Sequence, residues 1–207
     1  MLSQKQKKIQ TLLRSLNVLP KDERKKYTIK DLKKGSFFTF EKVDYYIEEV
    51  ATYLDVKWKN FSKRKENYFV YEFKSISLND ASIVYFEWEE DDEIECSMTT
   101  QTLKIKDISL TNNSNNKISL SDLEDIADDE EGKVYTNDKY YEYSEDDTWA
   151  ALYSSDKYTD CKVRMYEFYN HNEYLTIEIW EDDEDKPEKE AFISKEIYYQ
   201  DIEVLKV

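Results

Sequence analysis

The chain has 207 residues, of which 40% are hydrophobic and 15% aromatic, and this apolar content excludes wholesale disorder although 37% of the residues are charged. The formal net charge is −16, but residues 1–35 hold eleven basic and three acidic side chains, a local balance of +8 that leaves −24 for residues 36–207. Because an acidic body repels nucleic acid and anionic membranes, we do not expect the body to bind DNA or RNA directly.

Two features of the sequence predict a cytoplasmic location. It contains neither a run of 18 apolar residues nor the uninterrupted apolar segment of a signal peptide, so no membrane span is expected. Cys96 and Cys161 are isolated and match neither a disulfide framework nor a metal site, which indicates reduced thiols.

The first 26 residues are predicted to form a basic amphipathic helix, over residues 3–18, followed by a linker. Three roles are open for this helix: docking on the chain's own acidic body, peripheral contact with anionic lipid at the inner membrane face through residues 3–26, or contact with a protein partner. Its apolar stripe, at i, i+3, i+4, i+7 spacing, consists of Ile9, Leu12, Leu13 and Leu16.

A degenerate internal repeat follows the helix. Gly35 and Gly132 stand at equivalent points before aromatic segments, where glycine adopts a positive φ without steric cost. We therefore predict two related β units, 27–110 and 118–207, joined by a polar linker at 111–117. The other equivalent segments are 29–32 and 120–123, 71–73 and 166–168, 87–93 and 179–184, and 107–108 and 201–202.

The aromatic and β-branched runs of each unit alternate with period two and are separated by turn-prone residues, which predicts antiparallel hairpins. The expected fold is therefore mainly β: two tandem related antiparallel units, either bent sheets or small barrels, with one N-terminal amphipathic α-helix. The acidic insertion 124–131 is expected to be a solvated loop or a short helical turn.

Motifs for common catalytic chemistry are missing from the sequence. His171 is the single histidine and lies in a predicted turn, and two glycines cannot supply a phosphate-binding loop, so we expect neither catalytic residues nor cofactors. The acidic runs 89–93, 128–131 and 181–185 lack calcium-loop spacing and are interpreted as solvated turns rather than metal sites.

Glutamates in the aromatic strands leave one chemical alternative open. Glu72 with Glu167, or Glu87 with Glu178, are candidate acid–base pairs if burial against aromatic rings raises their pKa values. The other interpretation is that these glutamates face outward or bind tyrosine hydroxyls.

The segment 28–35, which contains Asp31, Leu32 and Gly35, resembles the entry to a bacterial family of uncharacterised β-rich domains, and so does Tyr71-Glu72-Phe73 further along. The second half, with Tyr166-Glu167-Phe168 and residues 175–182, looks closer to that family, whereas Tyr68 stands where a tryptophan is expected. Such domains are often encoded beside phage-shock-protein-A-like membrane-stress proteins and polyamine-synthase-like proteins. The resemblance thus implies a cellular context and no catalytic residues.

We expect a non-enzymatic interaction or accessory module, linked to membrane stress, that binds a protein partner through an aromatic sheet face. The first alternative is an acidic DNA mimic that inhibits a nucleic-acid-binding protein, and the second is a carboxylate-dependent enzyme with two glutamates in a cleft. The candidate interaction residues are Ile9, Leu12, Leu13, Leu16, Tyr71, Trp88, Tyr166 and Trp180.

Overall fold

A computed structural model describes residues 3–112, 116–143, 148–181 and 188–207. These residues form a mainly β structure with an N-terminal helix, as the sequence predicted. Strands make up 51% of the structure, and there are three helices in these described residues. The helices are α1 (Gln4–Ser15), α2 (Lys21–Arg24) and α3 (Leu120–Asp129), and 3₁₀ turns span Ile29–Asp31, Ile105–Asp107 and Tyr199–Asp201. The strands are β1 (Phe37–Phe40), β2 (Val43–Val56), β3 (Phe69–Ser77), β4 (Ile83–Glu90), β5 (Ile94–Leu103), β6 (Gly132–Thr136), β7 (Lys139–Tyr143), β8 (Thr148–Ser154), β9 (Cys161–Asn170), β10 (Glu173–Glu181), β11 (Glu188–Glu196) and β12 (Glu203–Lys206).

Eight strands close into an antiparallel barrel. The ring runs β2–β3–β4–β5–β11–β10–β9–β8 and returns to β2, because β8 pairs with both β9 and β2. The first half of the chain supplies β2–β5, the second half supplies β8–β11, and the β5–β11 and β2–β8 pairings join them. Either half alone would therefore present two open sheet edges.

The remaining strands extend the sheet away from the ring. β1 pairs with the first part of β2 and carries β12 on its other side, whereas β7 pairs with β9 and carries β6. The register of β2 with β3 shifts between Ile47 and Glu49, and such a bulge increases local twist. The first part of β2 stays paired with β3 but has β1 in place of β8 on its other side, and its Tyr45 and Ile47 pack in the outer core.

The two largest apolar cores lie on the outer face of the barrel wall. Phe73 of β3 and Phe86 of β4 pack beneath Phe38 of β1 and Ile202, close to β12. On the other side, Tyr166, Phe168, Ile177 and further outward residues of β9–β11 pack beneath α3, β6 and β7. These covers bury the apolar outer face, which supplies most of the hydrophobic stabilisation, and a smaller cluster of Tyr53, Ala151, Val163 and Met165 packs on the inner side of the ring.

Helix α3 occupies most of the segment that was expected to be a solvated loop or a short turn. Leu123 and Ile126 are buried one turn apart and pack in the outer core, which explains why an acidic segment is helical. Ser119 begins the helix with a capping box in which its hydroxyl accepts from the Asp122 amide while Asp122 accepts from the Ser119 amide.

The two glycines have different physical roles. Gly35 has a φ of +90°, which confirms the predicted left-handed conformation. The same prediction is wrong for Gly132, where a Cβ atom would lie 2.7 Å from Cγ1 of Ile126. Close packing of β6 against α3 therefore excludes a side chain at Gly132.

We predict that Gly132→Ala lowers the free energy of unfolding by about 1–3 kcal/mol through this overlap. In an Ile126→Ala background the overlap is gone, so the same substitution should cost little. Urea unfolding of the four variants in a double-mutant cycle measures the coupling.

Gly35→Ala is the matched control for this cycle. Its cost of about 1–2 kcal/mol arises from the left-handed backbone and should not change in the Ile126→Ala background. An equal cost of Gly132→Ala in both backgrounds would contradict the packing explanation.

Candidate functional site

The barrel encloses a cavity of about 570 Å³, which we call the lumen cavity. Its walls mix aromatic rings, hydroxyls and carboxyl groups, and its solvent-exposed lining residues, which include Lys104, Lys106, Lys189 and Glu190, mark the mouth. The other lining residues are Tyr53, Glu72, Tyr85, Thr99, Thr102, Leu103, Ile105, Tyr153, Glu178, Trp180 and Phe192.

Strand alternation places these side chains inside. Leu175, Ile177 and Ile179 of β10 pack in the outer core, so the intervening Glu178 and Trp180 face the lumen cavity. The same rule applies on β3 and β4, where outward aromatic residues alternate with inward glutamates. The wall is therefore apolar outside and polar around the lumen cavity, while Ala151, Val163 and Met165 form a smaller apolar cluster with Tyr53 on the inner side.

Three aromatic rings form one side of the lumen cavity. The Tyr53 and Tyr153 ring centroids are 4.9 Å apart at an interplanar angle of 62°, and those of Tyr153 and Trp180 are 4.9 Å apart at 81°. Such edge-to-face packing fixes the rings in place. It gives the cavity a rigid wall rather than a set of free side chains.

Glu178 is the most constrained carboxyl group in the lumen cavity. It is 2% exposed, and it accepts hydrogen bonds from the Tyr53 hydroxyl at 3.3 Å and from Nε1 of Trp180 at 3.0 Å. Burial, followed by the charges of Glu87 and Glu190, raises the pKa of Glu178 to about 8, although the two donors oppose this shift. A buried carboxyl group is thus held in one orientation.

Glu72 and Glu87 lie directly opposite each other on β3 and β4. Burial raises the pKa of Glu87 to about 7 against the opposing effect of the Ser97 hydroxyl, which donates at 3.4 Å. Burial and then the charges of Glu87 and Glu178 raise the pKa of Glu72 well above its usual range. Glu72, Glu87 and Glu178 form what we call the inner carboxyl cluster, and much of it is therefore protonated at neutral pH.

Glu49 on β2 is the contrasting carboxylate of this region. It is 9% exposed, and Nζ of Lys157, in the β8–β9 turn, lies 3.1 Å from its Oε2 atom. Burial favours protonation of Glu49, but the hydrogen bonds from Ser155 and Lys157 outweigh it and lower its pKa. An ionised group thus lies near the protonated ones, because the Glu49 charge is among those that raise the pKa of Glu72.

The predicted aromatic interaction residues do not share one exposed face. Trp180 lines the lumen cavity, whereas Tyr71 and Trp88 stack on each other in the outer core with ring centroids 4.4 Å apart. Tyr166 is 1% exposed beneath α3 and packs edge-on against Trp58. The expectation of exposed rings is corrected here because the covering elements bury the outer aromatic face.

The stripe of α1 is partly used within the chain. Leu12 and Leu16 pack on an apolar cluster of the barrel that includes Leu205, whereas Ile9 is half-exposed and Leu13 is 48% exposed. Basic side chains of the first 35 residues form ion pairs with the acidic body, among them Lys8 with Glu48, Arg24 with Glu203 and Lys30 with Glu90. Of the three roles predicted for α1, this geometry displays docking of the helix on the chain's own body.

Of the two candidate carboxylate pairs, Glu87 and Glu178 share the inner cluster, since the charge of Glu87 raises the pKa of Glu178. Glu72 and Glu178 line the lumen cavity, whereas neither Glu87 nor Glu167 is among its lining residues. Sequence reasoning missed Tyr53, Tyr153 and Glu190, and no alternating pattern in their strands marks them out.

Other predicted chemical features have plain structural positions. His171 lies in the β9–β10 turn with a φ of 55°, Cys96 is buried in the outer core and Cys161 is half-buried. Among residues 3–112, 116–143, 148–181 and 188–207, no group of three or more His, Cys, Asp or Glu side chains is arranged to hold a metal ion. Most of the acidic run 181–185 lies outside those residues.

No helix within the described segments is long and apolar enough to cross a membrane. Comparison of the chain with protein-family models, with curated proteins and with solved structures yields no match. The lumen cavity therefore has to be interpreted from its own chemistry.

We predict that the folded protein becomes less stable as the pH rises from about 5 to 9. The pKa values of Glu87 and Glu178 are raised to about 7 and 8, so the folded state binds more protons than the unfolded state above the usual glutamate range. The stabilisation is therefore complete below that range and is lost as the pH passes through 7 and 8. Urea unfolding at successive pH values measures it.

Glu178→Gln should flatten this decline by a few kcal/mol, because one pKa unit corresponds to about 1.4 kcal/mol. Glu66→Gln, at an exposed position remote from the lumen cavity, should leave the decline unchanged. If Glu178→Gln and Glu66→Gln follow the wild-type pH profile equally, the raised pKa of Glu178 is refuted.

Proposed function

We propose that the protein binds a small polar molecule inside its barrel. The observation that carries this proposal is a barrel cavity of about 570 Å³, open to solvent at its mouth, in which a buried carboxyl group, Glu178, is oriented by two side-chain donors. Cavities of roughly 300–1,000 Å³ that combine apolar walls with a few convergent polar groups are typical ligand sites.

The composition of the lumen cavity supports binding over a purely structural role. An eight-stranded barrel either fills its interior with side chains or holds one small ligand. Filling the interior with apolar side chains would avoid the desolvation of Glu72, Glu87 and Glu178, each of which has a raised pKa. Proteins retain such destabilising groups chiefly at functional sites.

Blocking the lumen cavity tests the proposal. Thr99 lines the cavity and is half-buried, so Thr99→Trp should fill part of it and weaken the binding of polar small molecules at least tenfold. Thr159→Trp makes the same change at an exposed turn position and should have no effect. Saturation-transfer NMR with a panel of neutral and charged polar molecules measures binding to all three proteins.

Two results would refute binding in the lumen cavity. One is that no member of the panel binds the wild-type protein, and the other is that every bound molecule binds Thr99→Trp as tightly as wild type.

A carboxylate-dependent enzyme is the second candidate, and one observation favours it. Glu178 lines the lumen cavity with a pKa of about 8, and Glu87, whose charge acts on Glu178, has a pKa of about 7, whereas the pKa of Glu49 is lowered. Groups whose environments separate their pKa values suit acid–base catalysis. Turnover of a bound molecule that is abolished by Glu87→Gln or Glu178→Gln would distinguish the enzyme from a binding protein.

The partner-binding hypothesis and the acidic DNA mimic have less support from the described surface. Three of the four candidate aromatic residues lie in the outer cores rather than on an open face, and Trp180 faces inward. Net charge is the main observation that favours the DNA mimic. The link to membrane stress stays a prediction carried by the sequence resemblance.

We also propose that β2–β5 and β8–β11 are related units produced by duplication. Each unit follows a capping box and ends in a 3₁₀ turn that precedes a buried isoleucine, which supports this relation. Here the units complete one shared barrel instead of forming two separate ones. The equivalent residues are Thr28 and Asp31 with Ser119 and Asp122, and Ile108 with Ile202.

A further inference from the structure

We infer that the ligand of the lumen cavity carries a protonated amine, which forms an ion pair with Glu178 beside the Tyr53 and Trp180 rings. This inference rests on the proposed function and specifies its ligand class.

The geometry around Glu178 supports a hydrogen-bond donor as ligand. The Tyr53 hydroxyl occupies one position on Oε1 and the Trp180 indole occupies one on Oε2. A carboxylate has about four acceptor positions, so two remain for a ligand N–H group. The two protein donors fix the carboxyl plane, and the ligand does not have to order it on binding.

The aromatic wall supports the same ligand class. Tyr53, Tyr153 and Trp180 form a rigid corner beside Glu178, and aromatic faces attract cations, with tryptophan the most effective. Carboxylates beside aromatic rings are the usual chemistry for an organic ammonium group. Apolar edges of the same rings can contact its alkyl part.

The surrounding charges favour a cation over an anion. The charges of Glu87 and Glu190 raise the pKa values of both Glu72 and Glu178, so an anion would be repelled by either of them that ionises. Lys157 is engaged by Glu49, and Lys104, Lys106 and Lys189 are exposed at the mouth. Two further charges act on this region from β3 and β4. Lys74 lowers the pKa of Glu49, and Glu89 raises the pKa of Glu87.

Binding then exchanges a proton for an ammonium group. The O–H bond of protonated Glu178 breaks, the proton leaves to solvent, and the ammonium keeps its own protons and pairs with the carboxylate that is formed. Because the pKa of Glu178 is about 8, the apparent affinity should rise about tenfold per pH unit between pH 6 and 7 and level off above 8. Tyr53, Tyr85 and Tyr153, with pKa values raised by burial, stay protonated in this range.

The experiment is calorimetric titration of the full chain with butylammonium chloride and with 1-butanol, which is similar in size but uncharged. We expect butylammonium to bind at least tenfold more tightly than 1-butanol at pH 7. Titrations at pH 6 in buffers with different ionisation enthalpies should show release of about one proton per bound butylammonium. Glu178→Gln should lose the preference and the proton release, and Glu66→Gln should keep both.

Glu190→Gln gives a second test if Glu178→Gln fails to fold. Glu190 lies opposite Glu178 on β11 at the exposed mouth, and the loss of its charge should weaken butylammonium binding about three- to tenfold without affecting 1-butanol.

Three outcomes would overturn the inference. Equal affinities for butylammonium and 1-butanol, or binding that Glu178→Gln and Glu190→Gln leave unchanged, would refute an amine ligand while binding in the lumen cavity stands. Failure of both probes to bind, together with binding of neutral or anionic panel members that Thr99→Trp abolishes, would likewise refute only the ligand class. Failure of the whole panel would refute the proposed function too.

Discussion

Closure of the barrel is the constraint on which the rest of the structure depends. Each ring strand must pair on both sides, and its alternating side chains then face either the lumen cavity or the outer covers. Because the interior combines the polar lumen cavity with only a small apolar cluster, most of the hydrophobic stabilisation comes from the outer face, where α3, β1, β6, β7 and β12 cover the wall. The strands outside the ring therefore supply hydrophobic stabilisation that the polar lumen cavity does not.

The cost of burying glutamates on the inner side of the barrel is reduced at neutral pH. A buried charge is costly, and the protein reduces that cost by protonating part of the cluster, as the raised pKa values of Glu87 and Glu178 indicate. Among the glutamates whose charges raise the pKa of Glu72, Glu49, which has Lys157 as a partner, is the one with a lowered pKa. The ammonium ligand that we propose would therefore release a proton from this cluster when it binds.

Local sequence patterns could predict the helix, the hairpins and the strand content, because those depend on nearest neighbours. The ring could not be predicted, since the β5–β11 and β2–β8 pairings join residues far apart in the chain. The proposed equivalence of Trp88 and Trp180 fails for a related reason. Tyr71 pairs with Trp88, whereas Tyr166 pairs with Ile177, because the β3–β4 connection is longer than the two-residue β9–β10 turn. A shift of three positions along the strand moves a ring from the outer core to the lumen cavity.

The same non-local pairings make the candidate site a property of the whole chain. Glu72 and Glu87 come from the first half, and Glu178 with Trp180 from the second, while the Tyr53–Glu178 hydrogen bond joins the two halves across the cavity. Neither half holds the aromatic corner and the carboxyl cluster by itself. Under the duplication that we propose, closure of one unit with its copy would create the site without a new element, because the cavity exists only between the halves.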